Sequence, residues 1–449
     1  MTHHSPNARR AFAVEVVDRL RTAGYHALWA GGCVRDELLG RMPADFDIAT
    51  SATPQQVRTV FGPRRTIPVG AAFGVVSVLG PHEAGQIDVA TFRSDAGYSD
   101  GRRPDSVVFS NAENDALRRD FTINGLFYDP LAEEVIDYVG GQEDLKQGVV
   151  RAIGDPHERI GEDKLRMLRA VRFAANLGFA LDAKTLEAVQ AHASDLVIVA
   201  EERIGAELRK MLTHPNRARA IRLMQRSGLL LVVFPQLGIL EPDAEAGAEL
   251  PALPAADPAP ERVSFAGNWQ KTIAVLERLH HPSFPASMAA LLHEISADVE
   301  HRASLGRSIA CELKLTTDEC GRIEHALKHE REIRRARSLP WPRIQRLLIA
   351  HGIDDLLTLA AAVAEVAGDA GDDVAFCRHQ LVQPPEILNP PNLLTGGDLI
   401  GMQIPRGPVY SKLLNLVRDA QLEAKIASAD DARKLAWSLW QQEQKVQSD

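Results

Sequence analysis

The run Ala30-Gly31-Gly32-Cys33-Val34-Arg35-Asp36-Glu37-Leu38-Leu39-Gly40, followed shortly by Asp45-Phe46-Asp47-Ile48-Ala49-Thr50, decides how the chain is read. The apolar residues Ala27, Leu28, Trp29 and Ala30 meet two glycines, and the glycines open a short amphipathic helix. A strand, a glycine turn and a helix in that order let backbone come close to a phosphate. If Phe46-Asp47-Ile48 is a strand, its period of two sends Phe46 and Ile48 into a core and puts Asp45 and Asp47 on the opposite face.

Two carboxylates side by side repel each other unless a cation lies between them. Hard oxygen ligands at this spacing suit Mg²⁺, which keeps waters and binds one or two carboxylates together with substrate phosphates. Such carboxylates serve nucleotidyl transfer, in which an attacking hydroxyl is activated and a leaving pyrophosphate stabilised. A D-x-D pair alone also occurs on solvated strand ends; joined to the Gly-Gly turn and Arg35-Asp36 it points to chemistry.

A second cluster is Leu117-Arg118-Arg119-Asp120-Phe121-Thr122-Ile123-Asn124. Two guanidiniums can grip triphosphate oxygens bidentately, while Asp120 and Asn124 can hydrogen-bond ribose hydroxyls. A third is Glu162-Asp163-Lys164-Leu165-Arg166-Met167-Leu168-Arg169, where Leu165, Leu168, Val171 and Ala175 recur at helical spacing. On one continuous helix, Asp163 and Arg166 would be surface neighbours three residues apart.

The pattern G-G-x-V-R-D-x-L-L-G-x(4)-D-F-D-I-A-T, with R-R-D-F-T-x-N and E-D-x-x-R behind it, resembles the class II tRNA nucleotidyltransferase and bacterial poly(A) polymerase family, which includes the CCA-adding enzymes. The resemblance implies an α+β fold: a nucleotidyltransferase head with a small mixed sheet, then all-α neck, body and tail. It implies catalytic carboxylates Asp45, Asp47 and Asp88, with Mg²⁺ on Asp45 and Asp47. Nucleotide binding falls to Gly31, Gly32, Arg35, Arg118, Arg119, Asp120, Asn124, Asp163, Arg166 and Arg169, with Asp163 and Arg166 reading the base edge of CTP or ATP. An exposed strand Asp is the plain alternative for Asp88.

The partners implied are the tRNA acceptor end, CTP and ATP, with no membrane, and with monomer and homodimer both open. Addition of CCA is the expected reaction. Addition of A alone and poly(A) synthesis are the rivals within the family, and an RNA-binding module with an inactive head is the rival outside it. The polar stretch Phe92 to Asp105 resembles the family's flexible loop in enzymes that add the terminal A. Glu201-Glu202-Arg203-Ile204-Gly205-Ala206-Glu207 resembles a bracing motif acting through Arg203 and Glu207.

At 449 residues, about two to four domains are expected. They divide as a head over 1–150, a neck over 151–240, a Pro/Ala-rich linker or insertion over 241–262, a helical body over 263–380 and an RNA-binding tail over 381–449. The body carries Leu291-Leu292-His293-Glu294, an echo of metal phosphohydrolases in which Glu replaces the Asp and no matching histidines follow; His293 therefore reads as structural. Arg331, Arg334, Arg335, Arg337, Arg343 and Arg346 would form a basic face suited to an RNA backbone. The tail run Gly397-Asp398-Leu399 to Pro408 resembles the CCA-adding branch, with Gln403 where an inner glycine would fall and Arg406 in place of a proline.

Composition sets limits. A net charge of -9 excludes a protein that is basic all over, so RNA contact must rest on local patches. The four cysteines lie far apart without a C-x-x-C pair, which argues against a disulfide frame or a zinc site. No run approaches about 18 uninterrupted apolar residues and Met1-Thr2-His3-His4 lacks a leader pattern, so a cytoplasmic protein is expected.

Overall fold

The computed structural model describes residues 6–70, 74–96, 106–238 and 269–446. The chain divides into two compact units, Met1–Ser264 and Phe265–Asp449. The expected linker over 241–262 lies outside the described residues.

The first unit opens with α1 (Pro6–Thr22), whose Phe12, Ala13, Val16, Val17 and Leu20 form a buried stripe at helical spacing. Nine strands follow among the described head residues: β1 (Ala27–Ala30), β2 (Asp47–Thr50), β3 (Thr66–Gly70), β4 (Val75–Leu79), β5 (Gln86–Thr91), β6 (Arg93–Ala96), β7 (Ser106–Phe109), β8 (Phe127–Asp129) and β9 (Glu134–Ile136). Seven make one sheet in the order β3-β4-β5-β2-β1-β8-β9. Only β2 and β5 run parallel, so the sheet is mixed. Trp29 is fully buried at its centre, edge-on to Phe46 at 4.8 Å.

Between the strands lie α2 (Gly32–Leu38), α3 (Pro54–Phe61) and α4 (Ala112–Leu117). The start of α3 is fixed by a capping box between Thr53 and Gln56, with Pro54 at the first helical position. β6 and β7 form a separate ribbon. The stretch from Phe92, expected as a loop, therefore begins as a buried aromatic and a strand, because Phe92 is 1% exposed in the core with Leu28, Ala49 and Phe127. Its remainder, 97–105, lies outside the described residues.

The helices α5 (Gly141–Gln147), α6 (Pro156–Glu162), α7 (Arg166–Leu177), α8 (Ala183–His192), α9 (Glu201–Leu212), α10 (Arg217–Arg226) and α11 (Leu229–Val233) follow, with a short parallel strand pair of Val149–Val150 and Ala180–Leu181 among them. One finding corrects the sequence reading: the expected helix through Glu162 and Arg166 is two helices. Asp163 sits between them with extended backbone at φ -145° and ψ 106°.

The second unit is helical: α12 (Trp269–Arg278), α13 (Phe284–Leu292), α14 (Val299–Glu312), α15 (Thr317–Ile333), α16 (Trp341–Leu348), α17 (Ile353–Ala367), α18 (Asp372–Leu381), α19 (Pro385–Leu388), α20 (Gly396–Gly401), α21 (Val409–Leu422) and α22 (Ala429–Val446). Every residue of α13 is buried, and His293 behind it is a core side chain whose Nδ1 lies 2.7 Å from the Ala290 carbonyl. No single helix among the described residues is long and apolar enough to cross a membrane.

Four arginines of the basic stretch are ion-paired inside this unit: Arg334 with Asp369, Arg337 with Asp372, Arg343 with Glu332 and Arg346 with Asp419. The face therefore carries less free positive charge than its arginine count suggests.

The tail has its own apolar cluster, built from Leu394, Leu399, Ile404, Leu413, Val417, Ala432 and Ala436. Gln403 follows α20 with φ +58°, a left-handed position that favours glycine. Its amide bonds the Ile400 carbonyl, and the next amide, Ile404, returns to Leu399. Replacing Gln403 with Gly should raise stability in urea unfolding by about 0.5–1 kcal/mol, strain relief outweighing the added freedom of the unfolded chain.

Candidate active site

Gly31 makes the turn between β1 and α2 with φ +77°, and its amide bonds the Leu126 carbonyl at 2.9 Å. The positive φ favours glycine there, and a Cβ would lie 2.7 Å from Nη1 of Arg119 and push that guanidinium aside. Arg119 is held against this turn by Asp115, by the Asn124 carbonyl at 3.3 Å and by the Phe127 ring. Arg118 takes the other oxygen of the same Asp115 at 2.7 Å. Burial would push the Asp115 carboxyl up, but the two guanidiniums more than offset this and hold it below its ordinary range. Asp115 escaped the sequence reading, although its spacing three and four residues before the arginine pair was a usable signal.

The carboxylates come from adjacent strands. Asp47 opens β2 and pairs in parallel register with Asp88 on β5. The Ser77 hydroxyl donates to Asp88 across the β4–β5 ladder. Both aspartates open to solvent, yet the surrounding sheet strips part of the hydration from Asp47. That desolvation, the charge of Asp88 and, more weakly, that of Asp45 raise the Asp47 carboxyl above its usual range, with Arg119 opposing.

Asp45 departs from expectation. The ladder starts at Asp47, so Asp45 lies ahead of it, 82% exposed, with Arg9 of α1 at 2.5 Å. Arg9 also donates to the carbonyls of Ala44 and Ala84, which ties down the segment before β2.

Among the described residues no three His, Cys, Asp or Glu side chains converge as a self-sufficient metal cage. A hard-oxygen pair with unbalanced negative charge is nonetheless the donor set that accepts a divalent cation completed by water or phosphate oxygens.

The residues read as phosphate and sugar ligands are linked to one another. Arg35 grips Asp36 and donates to Asn124 Oδ1 at 2.7 Å; Asn124 Nδ2 donates to Asp120 Oδ1 at 3.1 Å. Arg169 of α7 closes the chain on Asp120 Oδ2 through Nε at 2.8 Å and Nη2 at 2.5 Å. Arg35, Arg169 and Arg172 all lie over the Phe173 ring.

Burial alone would raise Asp120; Arg169, Asn124 and the Phe121 amide bring it below its ordinary range instead. A carboxyl with a lowered folded value contributes stability that is present above the unfolded value and is lost as pH falls through the folded one. Arg169→Leu should therefore cost about 3 kcal/mol near neutral pH, since it leaves a buried carboxylate unpaired. Unfolding titrations should show the variant's deficit shrinking as acid protonates Asp120.

The break after α6 sets the geometry of the third cluster. Asp163 accepts from Arg203 of α9 at 2.8 Å and from the Leu165 amide at 3.1 Å. Arg166 turns to Glu162 at 2.5 Å and donates to the Arg118 carbonyl at 3.3 Å. The two side chains are thus not an intrahelical pair; each is anchored separately. Glu207, also on α9, is buried with Arg172 at 2.5 Å and Lys210 at 3.2 Å.

The chain is similar to several known proteins. Residues 27–151 match the family described as poly A polymerase head domain, and residues 178–240 match the probable RNA and SrmB-binding site of polymerase A. The CCA-adding enzyme of Anoxybacillus flavithermus is 44% identical over 219 residues, 48% of this chain and 54% of that protein. That of Geobacillus stearothermophilus is 42% identical over 218 residues, 48% of this chain and 53% of that protein. The chain therefore spans about half the length of the curated relatives it matches.

A crystal structure of the Bacillus stearothermophilus CCA-adding enzyme in complex with CTP aligns over 97% of this chain and 98% of that one, with a TM-score of 0.71 and 27% identity. The Thermotoga maritima CCA-adding enzyme complexed with tRNA shares the fold at 18% identity and a TM-score of 0.59, over 96% of this chain and 95% of that one.

Proposed function

We propose that this chain is a member of the class II tRNA nucleotidyltransferase and bacterial poly(A) polymerase family, which its matches support, and that it adds C, C and A to the 3′ end of tRNA. CTP and ATP are the substrates, and pyrophosphate is released in the cytoplasm. The observation that carries this reading is the register of Asp47 beside Asp88, next to a Gly31 turn against which Arg119 is held.

On this reading Asp45, Asp47 and Asp88 are the catalytic carboxylates, and Asp47, with Asp45 once its Arg9 contact opens, would hold Mg²⁺. Bound there, Mg²⁺ supplies charge neutralisation at the triphosphate and a lowered pKa at the attacking tRNA hydroxyl. Arg118 and Arg119, fixed by Asp115, present cationic edges toward phosphate. Gly31 and Gly32 keep the turn thin, and Arg35, Asp120, Asn124 and Arg169 set the floor on which sugar and base rest. Asp163 accepts from the exocyclic amine that C and A share, and Arg166 donates to their ring acceptor.

On this reading residues 1–150 are the catalytic head, 151–240 the base-selecting neck, 241–262 a linker, 263–380 a body with a degenerate phosphohydrolase-like motif and 381–449 the RNA-facing tail.

The test is to incubate the protein and Mg²⁺ with tRNA ending at the discriminator base, at -C and at -CC, with CTP, ATP or both, and to sequence the products. All three should grow to CCA and stop. Growth of the -CC substrate alone would assign an A-adding enzyme, and unbounded A-tails a poly(A) polymerase.

A further inference from the structure

We propose that Cys311 and Cys320 form a reversible intramolecular disulfide by exchange with a small-molecule disulfide, which makes the α14–α15 hairpin a thiol-modification site. The two sulfurs lie 3.3 Å apart, with the Cys311 thiol donating to Cys320 Sγ and Cys320 donating weakly to the Leu315 carbonyl at 3.8 Å. A disulfide needs about 2.05 Å, so the sulfurs have only about 1 Å to close.

The two helices are packed closely on either side of this pair. One turn from each cysteine, Arg307 on α14 bonds Glu324 on α15 at 2.7 Å. On the same side Gly306 lets Leu327 approach so closely that a Cβ would sit 2.2 Å from Leu327 Cδ1. The pair is thus held at near-bonding distance by packing that is independent of the thiols.

The two sulfurs have different roles. Cys311 is exposed and lies beside the positive charge of Arg307, so it is the sulfur that meets an external disulfide. Cys320 is buried, and that burial pushes its thiol up to about 11, so it attacks second.

The exchange balances in two steps. Cys311 thiolate attacks R–S–S–R, forming Cys311–S–S–R and expelling RS⁻. Cys320 then attacks Cys311 Sγ, forming the Cys311–Cys320 bond and expelling a second RS⁻. The cysteine protons end on the two released thiols; the cysteines are oxidised and the small disulfide is reduced. In a reducing compartment the bond opens by the same route in reverse.

Oxidised glutathione on the full chain tests this by thiol counting and peptide mapping. The expected result is the loss of two of the four free thiols and a Cys311–Cys320 cross-linked peptide, both reversed by dithiothreitol. Cys320→Ser should instead trap a stable glutathione adduct on Cys311, and Cys311→Ser should take up none at Cys320. A stable adduct on Cys311 in the unaltered chain, or an unreacted Cys311, would overturn the proposal. So would a cross-link involving Cys33 or Cys377, which are both buried.

Discussion

Asp47→Asn is expected to slow nucleotide incorporation by about 10³-fold or more, the scale on which loss of several kcal/mol of transition-state stabilisation registers. The change keeps size and removes charge at the point where β2 and β5 bring two carboxylates into register. It also separates chemistry from folding. The Asp47 carboxyl is held above its usual range, by desolvation first and by Asp88 next. A carboxyl of that kind binds its proton more tightly in the folded state, so it weakens the fold as pH rises through the window from its unfolded to its folded value. At neutral pH the Asn variant should therefore melt no lower than the parent, and in the absence of nucleotide it should lack the Mg²⁺-dependent rise in melting temperature expected of the parent. A variant that kept full activity would remove Asp47 from the catalytic centre. Arg9→Ala should act oppositely on the neighbouring carboxylate: Asp45 loses its 2.5 Å cation, and the Mg²⁺ concentration needed for half-maximal rate should fall.

What the chain made legible is what local rules control. The stripe Phe12, Ala13, Val16, Val17 and Leu20, the capping box at Thr53, and the burial of Phe46 and Ile48 around Asp47 all follow from periodicity and cap chemistry within a few residues. The motifs were equally local. The partners were not: Asp120 meets Arg169, Asp163 meets Arg203, Arg172 meets Glu207 and Asp45 meets Arg9 across 35 to 49 residues of chain. No spacing rule pairs such distant charges, and the candidate site side chains are oriented by them. The helix break at Asp163 was hidden for a related reason. Leu165, Leu168 and Val171 keep helical periodicity on their own helix, so the pattern continues smoothly over a backbone that does not.

That break shapes the second large effect, which concerns base choice. Arg166→Ala is expected to reduce discrimination of CTP and ATP against GTP and UTP by about 10²-fold, in line with 1–3 kcal/mol for a lost guanidinium contact to a base edge. Arg166 is anchored to Glu162 and to the carbonyls of Arg159 and Arg118, and Asp163 is anchored to Arg203, so the two groups proposed to read the base have separate supports. Two independent supports make a distinct double result. Arg203→Ala should loosen Asp163 and weaken rejection of bases that lack the exocyclic amine, while Glu162→Gln should loosen Arg166, together with Arg159, and leave Asp163 held. Misincorporation measured with each nucleotide in turn distinguishes them. If Arg166→Ala slowed all four nucleotides equally, its contacts to Glu162 and Arg118 would be structural and the choice of base would have to lie elsewhere. A selectivity loss from Arg203→Ala without loss of Mg²⁺ binding would instead mean that a helix outside the proposed base-reading pair sets fidelity, by fixing the direction of a single carboxylate.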